Sequence, residues 1–120
     1  LYLHGVINLE TELKLDINGF FARWSIPNDL SYLNGHFPAF PVVPGIAVID
    51  VTLEVLRRAL ALPSIHLAEL ENAKFTQLIR PGQVIEIEIL PTQDPARWSA
   101  KWKTNVLVAD VSFRLKTLNH

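Results

Sequence analysis

Apolar and polar residues alternate with period two along three stretches in the last third of the chain. In 84–90, Ile85, Ile87 and Ile89 oppose Glu86 and Glu88. In 97–104, Trp98, Ala100 and Trp102 oppose Arg97, Ser99, Lys101 and Lys103. In 107–116, Leu107, Ala109, Val111, Phe113 and Leu115 oppose Val108, Asp110, Ser112, Arg114 and Lys116. Successive side chains on a strand point to opposite faces, so each stretch predicts an antiparallel strand with one face on a core and one in water. Arg80-Pro81-Gly82 predicts a turn before the first of them. Residues 12–26 read as extended segments broken near Asn18-Gly19, a turn-prone pair.

One stretch has a different period. Ile46, Ile49, Leu53, Leu56 and Leu60 follow the three-and-four rhythm of a helix over 46–61, which Pro63 ends. Val48, Val51, Val55 and Ala59 widen its apolar surface, so most of this helix is expected to be buried. The simplest architecture is α+β: one domain over 1–120, with a long antiparallel sheet wrapped around one buried helix. A single helix covers only part of such a sheet. Exposed edge strands then need protection, which a homodimer joining two sheets at their edges would supply.

Composition narrows the function classes. The chain has 120 residues, 49% apolar and 19% charged, with a formal net charge of -1. That is enough apolar material for a core, and without a dense Lys/Arg run it argues against nucleic-acid binding. The absence of cysteine rules out a disulfide framework, a thiolate zinc site and a Cys nucleophile. No apolar run approaches the roughly 20 residues of a membrane span. The first residues lack the basic region of a signal peptide. A cytoplasmic protein is therefore expected. The chain begins at Leu1 and holds no methionine, which points to a processed or replaced start.

The candidate chemistry lies in residues 35–50, GHFPAFPVVPGIAVID. Pro38, Pro41 and Pro44 recur at the three-residue spacing of polyproline II, predicting a stiff, extended loop. A PxxP ligand for an SH3-type domain is one reading of that ladder, but the interleaved Phe37, Phe40, Val42 and Val43 look buried. Gly45 opens the helix, where free N–H groups carry partial positive charge and can accept an anion or a polarised carbonyl oxygen. A glycine serving only the turn is the plainer alternative. His36 stands at the head of the ladder, and an imidazole can take a proton near neutral pH. A solvated or structural histidine is the competing reading. Asp50 lies among Val48, Ile49 and Val51, where a carboxylate is costly unless paired or functional. A carboxyl partly kept from water holds its proton more readily and can act as a general acid. Alternatively, Asp50 and Glu54 form a charged stripe neutralised by Arg57 or Arg58. His66 precedes Glu69 and Glu71 without a convincing third metal ligand, and His4 and His120 lie near the ends of the chain.

The same stretch resembles the β-hydroxyacyl-acyl-carrier-protein dehydratases of the hot-dog fold. Their signature is close to GHFPxxPxxPG followed by an apolar helix with a catalytic Glu or Asp. Here Gly35-His36-Phe37-Pro38, Pro41 and Pro44-Gly45 match in place, and Asp50 falls at the acid position. That acid is normally Glu in one branch and Asp in the branch that also isomerises the double bond. Asp50 therefore resembles the second branch, and GHFP the first. Downstream, ENAKFTQLIRPGQ over 71–83 is similar to the family's strand–turn segment. The resemblance runs from about residue 12 to 116. It departs at Glu54, where these enzymes usually carry Gln, and at the front, where their His-Arg-Tyr-Pro-Phe-Leu-type segment is absent. Both departures suggest a diverged member, serving a specialised lipid or polyene pathway.

The resemblance implies a substrate and a division of labour. A 3-hydroxyacyl thioester on acyl carrier protein would lose its C2 proton to His36. The Gly45 N–H would polarise the thioester carbonyl, and Asp50 would protonate or orient the departing hydroxyl. The histidine and the acid would come from different subunits, making a homodimer the active unit, with a higher oligomer or heterodimer as variants. No metal or organic cofactor is needed. Phe37, Phe40 and helix residues are expected to line the acyl tunnel. Two rival readings stay open: a hot-dog acyl thioesterase, and a catalytically idle subunit that binds acyl chains or pairs with an active partner.

Overall fold

The computed structural model describes residues 9–16, 19–27 and 45–117. Its elements are β1 (Leu9–Asp16), β2 (Gly19–Ser25), helix α1 (Gly45–Leu60), β3 (Ile65–Phe75), β4 (Val84–Pro91), β5 (Arg97–Lys103) and β6 (Leu107–Thr117). The described strands form one six-stranded sheet in the order β1-β2-β4-β5-β6-β3. All neighbouring pairs are antiparallel. The chain leaves β2 near one side of the sheet and enters β3 at the opposite edge, with α1 between them. The expected α+β wrap of a long sheet on one helix is thus present.

The period-two stretches became β4, β5 and β6, and their apolar faces line up across the sheet. One row runs Ala22, Ile87, Trp102, Ala109, Phe75; the next runs Phe20, Ile89, Ala100, Val111, Ala73. Large side chains sit beside small ones, so Trp102 is flanked by Ala109 and Ile89 by Ala100. Trp24 packs edge-on against Trp102, ring centroids 5.7 Å apart. Both indoles are fully buried. Gly19 opens β2 at φ 150°, and a side chain there would overlap the Ile89 carbonyl. This makes glycine a requirement at the start of β2.

Two features depart from simple alternation. Val108 is buried whereas Leu107 is largely exposed, following a register shift at Trp102/Lys103. The long strand β3 carries register shifts between Leu67 and Glu69 and between Leu70 and Asn72. Each shift breaks the two-residue rhythm. Residues 68–72 are exposed on both faces of this edge strand.

Helix α1 starts at Gly45 and ends at Leu60, one residue earlier at each end than its periodicity suggests. Ala47, Val48, Val51, Leu53, Val55 and Leu56 are buried against the sheet, whereas Ile46 faces out. The helix closes in a Schellman turn: the Leu62 N–H donates to the Arg57 carbonyl at 3.1 Å and the Ala61 N–H to the Arg58 carbonyl at 3.4 Å. Ala61 takes the left-handed conformation, φ 52°, usually left to glycine. No helix among the described residues is long and apolar enough to cross a membrane.

Candidate active site at the start of the central helix

Gly45 is the first residue of α1, and the first turn of the helix carries no acidic side chain. No carboxylate of that turn offsets the partial positive charge at the helix start. The Phe75 ring lies over Gly45: a Cβ built there would stand 3.0 Å from Phe75 Cζ and 3.2 Å from Cε2. Strand register explains this contact. Phe75 ends the row shared with Trp102 and Ala109, so it shares their helix-facing side at the sheet's edge. The ring is still 47% exposed. Glycine at 45 thus lets the ring approach closely, and a side chain there would make the ring give by a few tenths of an ångström. Sequence reading missed Phe75. Its only signal was its place in the ENAKFTQ segment.

Asp50 lies in the second turn and is half-buried. About 7.5 Å of helix axis separates it from Gly45. Glu54, one turn on, is the more deeply buried acid at 7% exposure. Its carboxylate accepts a hydrogen bond from Arg58 Nε at 2.9 Å and lies 3.6 Å from Arg57 Nη1. Arg57 also donates from Nε to the Ile65 carbonyl at 2.9 Å, pinning the helix to the first residue of β3. The expected charged stripe is therefore real at Glu54. Glu54 is thus matched by two arginines in the following turn.

His36, Phe37 and Phe40 lie outside the described residues. Among the described residues, Ile49, Thr52 and Leu53 of the helix face Val111 and Phe113 across an apolar seam with no room for water. Above it, Trp102 Nε1 donates to Thr52 Oγ1 at 2.9 Å, and Thr52 donates to the Val48 carbonyl at 2.7 Å. Trp102 Nε1 and Thr52 Oγ1 are thereby bonded to each other, and the seam itself stays apolar.

The model of the ApeI-like family, described as ApeI dehydratase, matches residues 12–112. The chain belongs to this dehydratase family. Among curated proteins it is similar to the 3-hydroxyacyl-acyl-carrier-protein dehydratase FabZ of Pseudothermotoga lettingae, 37% identical over 60 residues, covering 46% of this chain and 42% of that protein. The FabZ of Bacillus velezensis is 28% identical over 64 residues, covering 48% of this chain and 45% of the relative. The chain thus spans less than half the length of these two relatives. Among solved structures, the dehydratase heterocomplex ApeI:P from Xenorhabdus doucetiae aligns with TM-score 0.80 at 19% identity, covering 91% of this chain and 96% of that one. Thioesterase superfamily member 2 from Mus musculus aligns with TM-score 0.65 at 12% identity, covering 94% and 82%. These likenesses show the fold, and the ApeI-like chain has the hot-dog architecture its sequence led us to expect.

Proposed function

We propose that this chain dehydrates 3-hydroxyacyl thioesters carried on an acyl carrier protein, giving trans-2-enoyl thioesters and water. The observation that carries the reading is the pairing, on one helix of an ApeI-like dehydratase, of an acid-free first turn at Gly45 and a half-buried carboxyl at Asp50. In this reading the thioester oxygen sits at the Gly45 N–H, which stabilises the negative charge that builds as the C2–H bond breaks. His36 takes that proton. The C3–O bond then breaks, and Asp50 delivers a proton to the hydroxyl as it leaves as water. The proton on His36 returns to Asp50 through solvent before the next turnover.

The reading takes 1–120 as one hot-dog domain in the cytoplasm and a homodimer as the working unit, with His36 and Asp50 of each site on different subunits. Support for the dimer comes from β3, an edge strand exposed on both faces over 68–72 and carrying Leu70 outward. Such an edge is costly to leave open. The FabZ relatives act on acyl-carrier-protein substrates, which favours the same carrier here.

A mass-resolved assay tests the proposal. The protein is incubated with a 3-hydroxyacyl thioester and, separately, with the trans-2-enoyl thioester. Interconversion by loss or gain of water is expected. Release of the free acid would replace the reading with a thioesterase. The likeness to a heterocomplex favours one second reading, an idle subunit that needs a partner chain. No turnover by the chain alone would support it.

A further inference from the structure

Phe75 is the last residue of β3, and its ring lies over the first residue of α1. A Cβ built at Gly45 would stand 3.0, 3.2 and 3.6 Å from Cζ, Cε2 and Cε1 of that ring. Distances this alike, to the ring's far carbon and both its neighbours, turn a face of the ring toward Gly45 and not its rim. The Cα–Cβ direction in a helix tilts toward the N-terminus. The ring therefore lies on the N-terminal side of Gly45, the side to which the first N–H groups of α1 open.

The sheet holds the ring in this place. Phe75 pairs with Ala109 of β6. The next residue is bonded twice to the same strand: the Thr76 N–H donates to the Val108 carbonyl at 3.0 Å, and Thr76 Oγ1 donates to the Leu107 carbonyl at 2.6 Å. Ala109, between Trp102 and Phe75 in their shared row, is too small to push the ring off the helix. Trp102 in that row is fully buried, whereas Phe75 is half-exposed. The ring thus stands between solvent and the helix start.

From this geometry we infer that Phe75 is a positioning residue for the dehydration: its ring keeps water from the Gly45 N–H, so that the thioester oxygen meets a donor that solvent does not occupy. The inference rests on the dehydratase reading and deepens it at the same site. An N–H open to bulk water is already hydrogen-bonded, and screening by water weakens its hold on a developing oxyanion. A donor behind an apolar wall acts in a low dielectric and needs no solvent reorganisation as the C2–H bond breaks. Phenylalanine suits this task, because it covers area and brings no polar group that competes for the N–H. The ring forms one wall, and the thioester enters beside it from the exposed side.

The experiment compares Phe75→Ala and Phe75→Leu with the wild type at temperatures where thermal melts show all of them folded. Alanine removes the cover, and leucine keeps an apolar one. Phe75→Ala is expected to lower kcat about tenfold with KM nearly unchanged, a fraction of what loss of a whole oxyanion donor costs. Phe75→Leu is expected to restore most of that loss. Phe75→Thr, a good strand former, takes the place of Phe75→Ala if alanine loosens β3. The second readout is the absorption of a bound 2,4-dienoyl thioester, which moves to the red as its carbonyl is polarised. The red shift is expected in the wild type and is expected to shrink in Phe75→Ala. An unchanged kcat, a rise in KM alone, or a full red shift in Phe75→Ala would overturn the inference and leave the dehydratase reading standing. A wild type that shows no red shift and does not turn over a 3-hydroxyacyl thioester would instead defeat the dehydratase reading, and the role of Phe75 with it.

Discussion

The indole N–H of Trp102 on β5 donates to the hydroxyl of Thr52 on α1 at 2.9 Å, in the fully buried layer between sheet and helix. The Thr52 hydroxyl in turn donates a hydrogen bond to the Val48 carbonyl at 2.7 Å, so one side-chain oxygen both accepts and donates without water. Thr52→Val keeps the shape and removes the acceptor. The buried indole N–H would then lack a partner, at a cost of about 1–3 kcal/mol. Thr52→Ser keeps the bond and is expected to cost less than Thr52→Val. Urea unfolding of the variants checks the order, and equal stabilities would refute the bond's contribution.

Gly45 and Phe75 offer a separation of fold from activity. In Gly45→Ala the new methyl stands 3.0 Å from Phe75 Cζ, so the half-exposed ring must swing by a few tenths of an ångström. Stability is expected to change by less than about 1 kcal/mol, since that ring is free to give. Dehydration is expected to fall at least tenfold, because the methyl crowds the N–H groups proposed to hold the thioester oxygen. Combining it with Phe75→Ala relieves the crowding from the ring. A thermal melt and kcat/KM on the single and double variants test both parts.

His36→Ala and Asp50→Asn should each lower turnover by about 10²–10⁴-fold, the usual share of a positioned acid or base. Circular dichroism should show an unchanged fold. Because the two groups are proposed to meet across a dimer, mixing and refolding the two variants should recover activity. Random pairing makes half the dimers mixed, each with one intact site of two, so about a quarter of wild-type activity is expected. No recovery on mixing would place both groups in one subunit.

Ala61 sits at φ 52°, where a β-carbon crowds the backbone. Ala61→Gly relieves that strain but loosens the unfolded chain, for a net gain of roughly 0.5–1 kcal/mol. The expected outcome is a small rise in melting temperature. A fall would mean that the methyl makes packing contacts that outweigh the strain.

Asp94, in the turn between β4 and β5, has its carboxyl held below the ordinary 3.8. The main cause is the hydrogen bond from the Ala96 N–H, assisted by Arg114, whose Nη2 lies 2.7 Å from Oδ2, and opposed by partial burial. A carboxyl lowered in the folded state contributes stability above its unfolded value and loses it as pH falls through the folded value. The contribution should therefore be intact near neutral pH and fade below about pH 4. Asp94→Asn should flatten that part of the acid limb in a pH series of unfolding midpoints.

The hot-dog outline was legible in the sequence where each element obeys a single period. Ile85, Ile87 and Ile89 announce β4 because one face is buried and the other wet; the Ile46–Leu60 rhythm announces α1 because the helix lies with one side on the sheet. β3 was not legible that way. Its register shifts at Leu67/Glu69 and Leu70/Asn72 space its apolar residues irregularly, and its edge position leaves both faces in water over 68–72. The candidate chemistry divides likewise. Gly45 and Asp50 could be named from the motif around them, since residue type and spacing along one helix are local properties. The Phe75 ring over Gly45 could not. Phe75 lies 30 positions from Gly45 in the chain. Local periodicity set the elements of this protein; which of their side chains meet was decided by sheet register and by the path of α1 across the sheet, because those contacts join residues that sequence spacing keeps far apart.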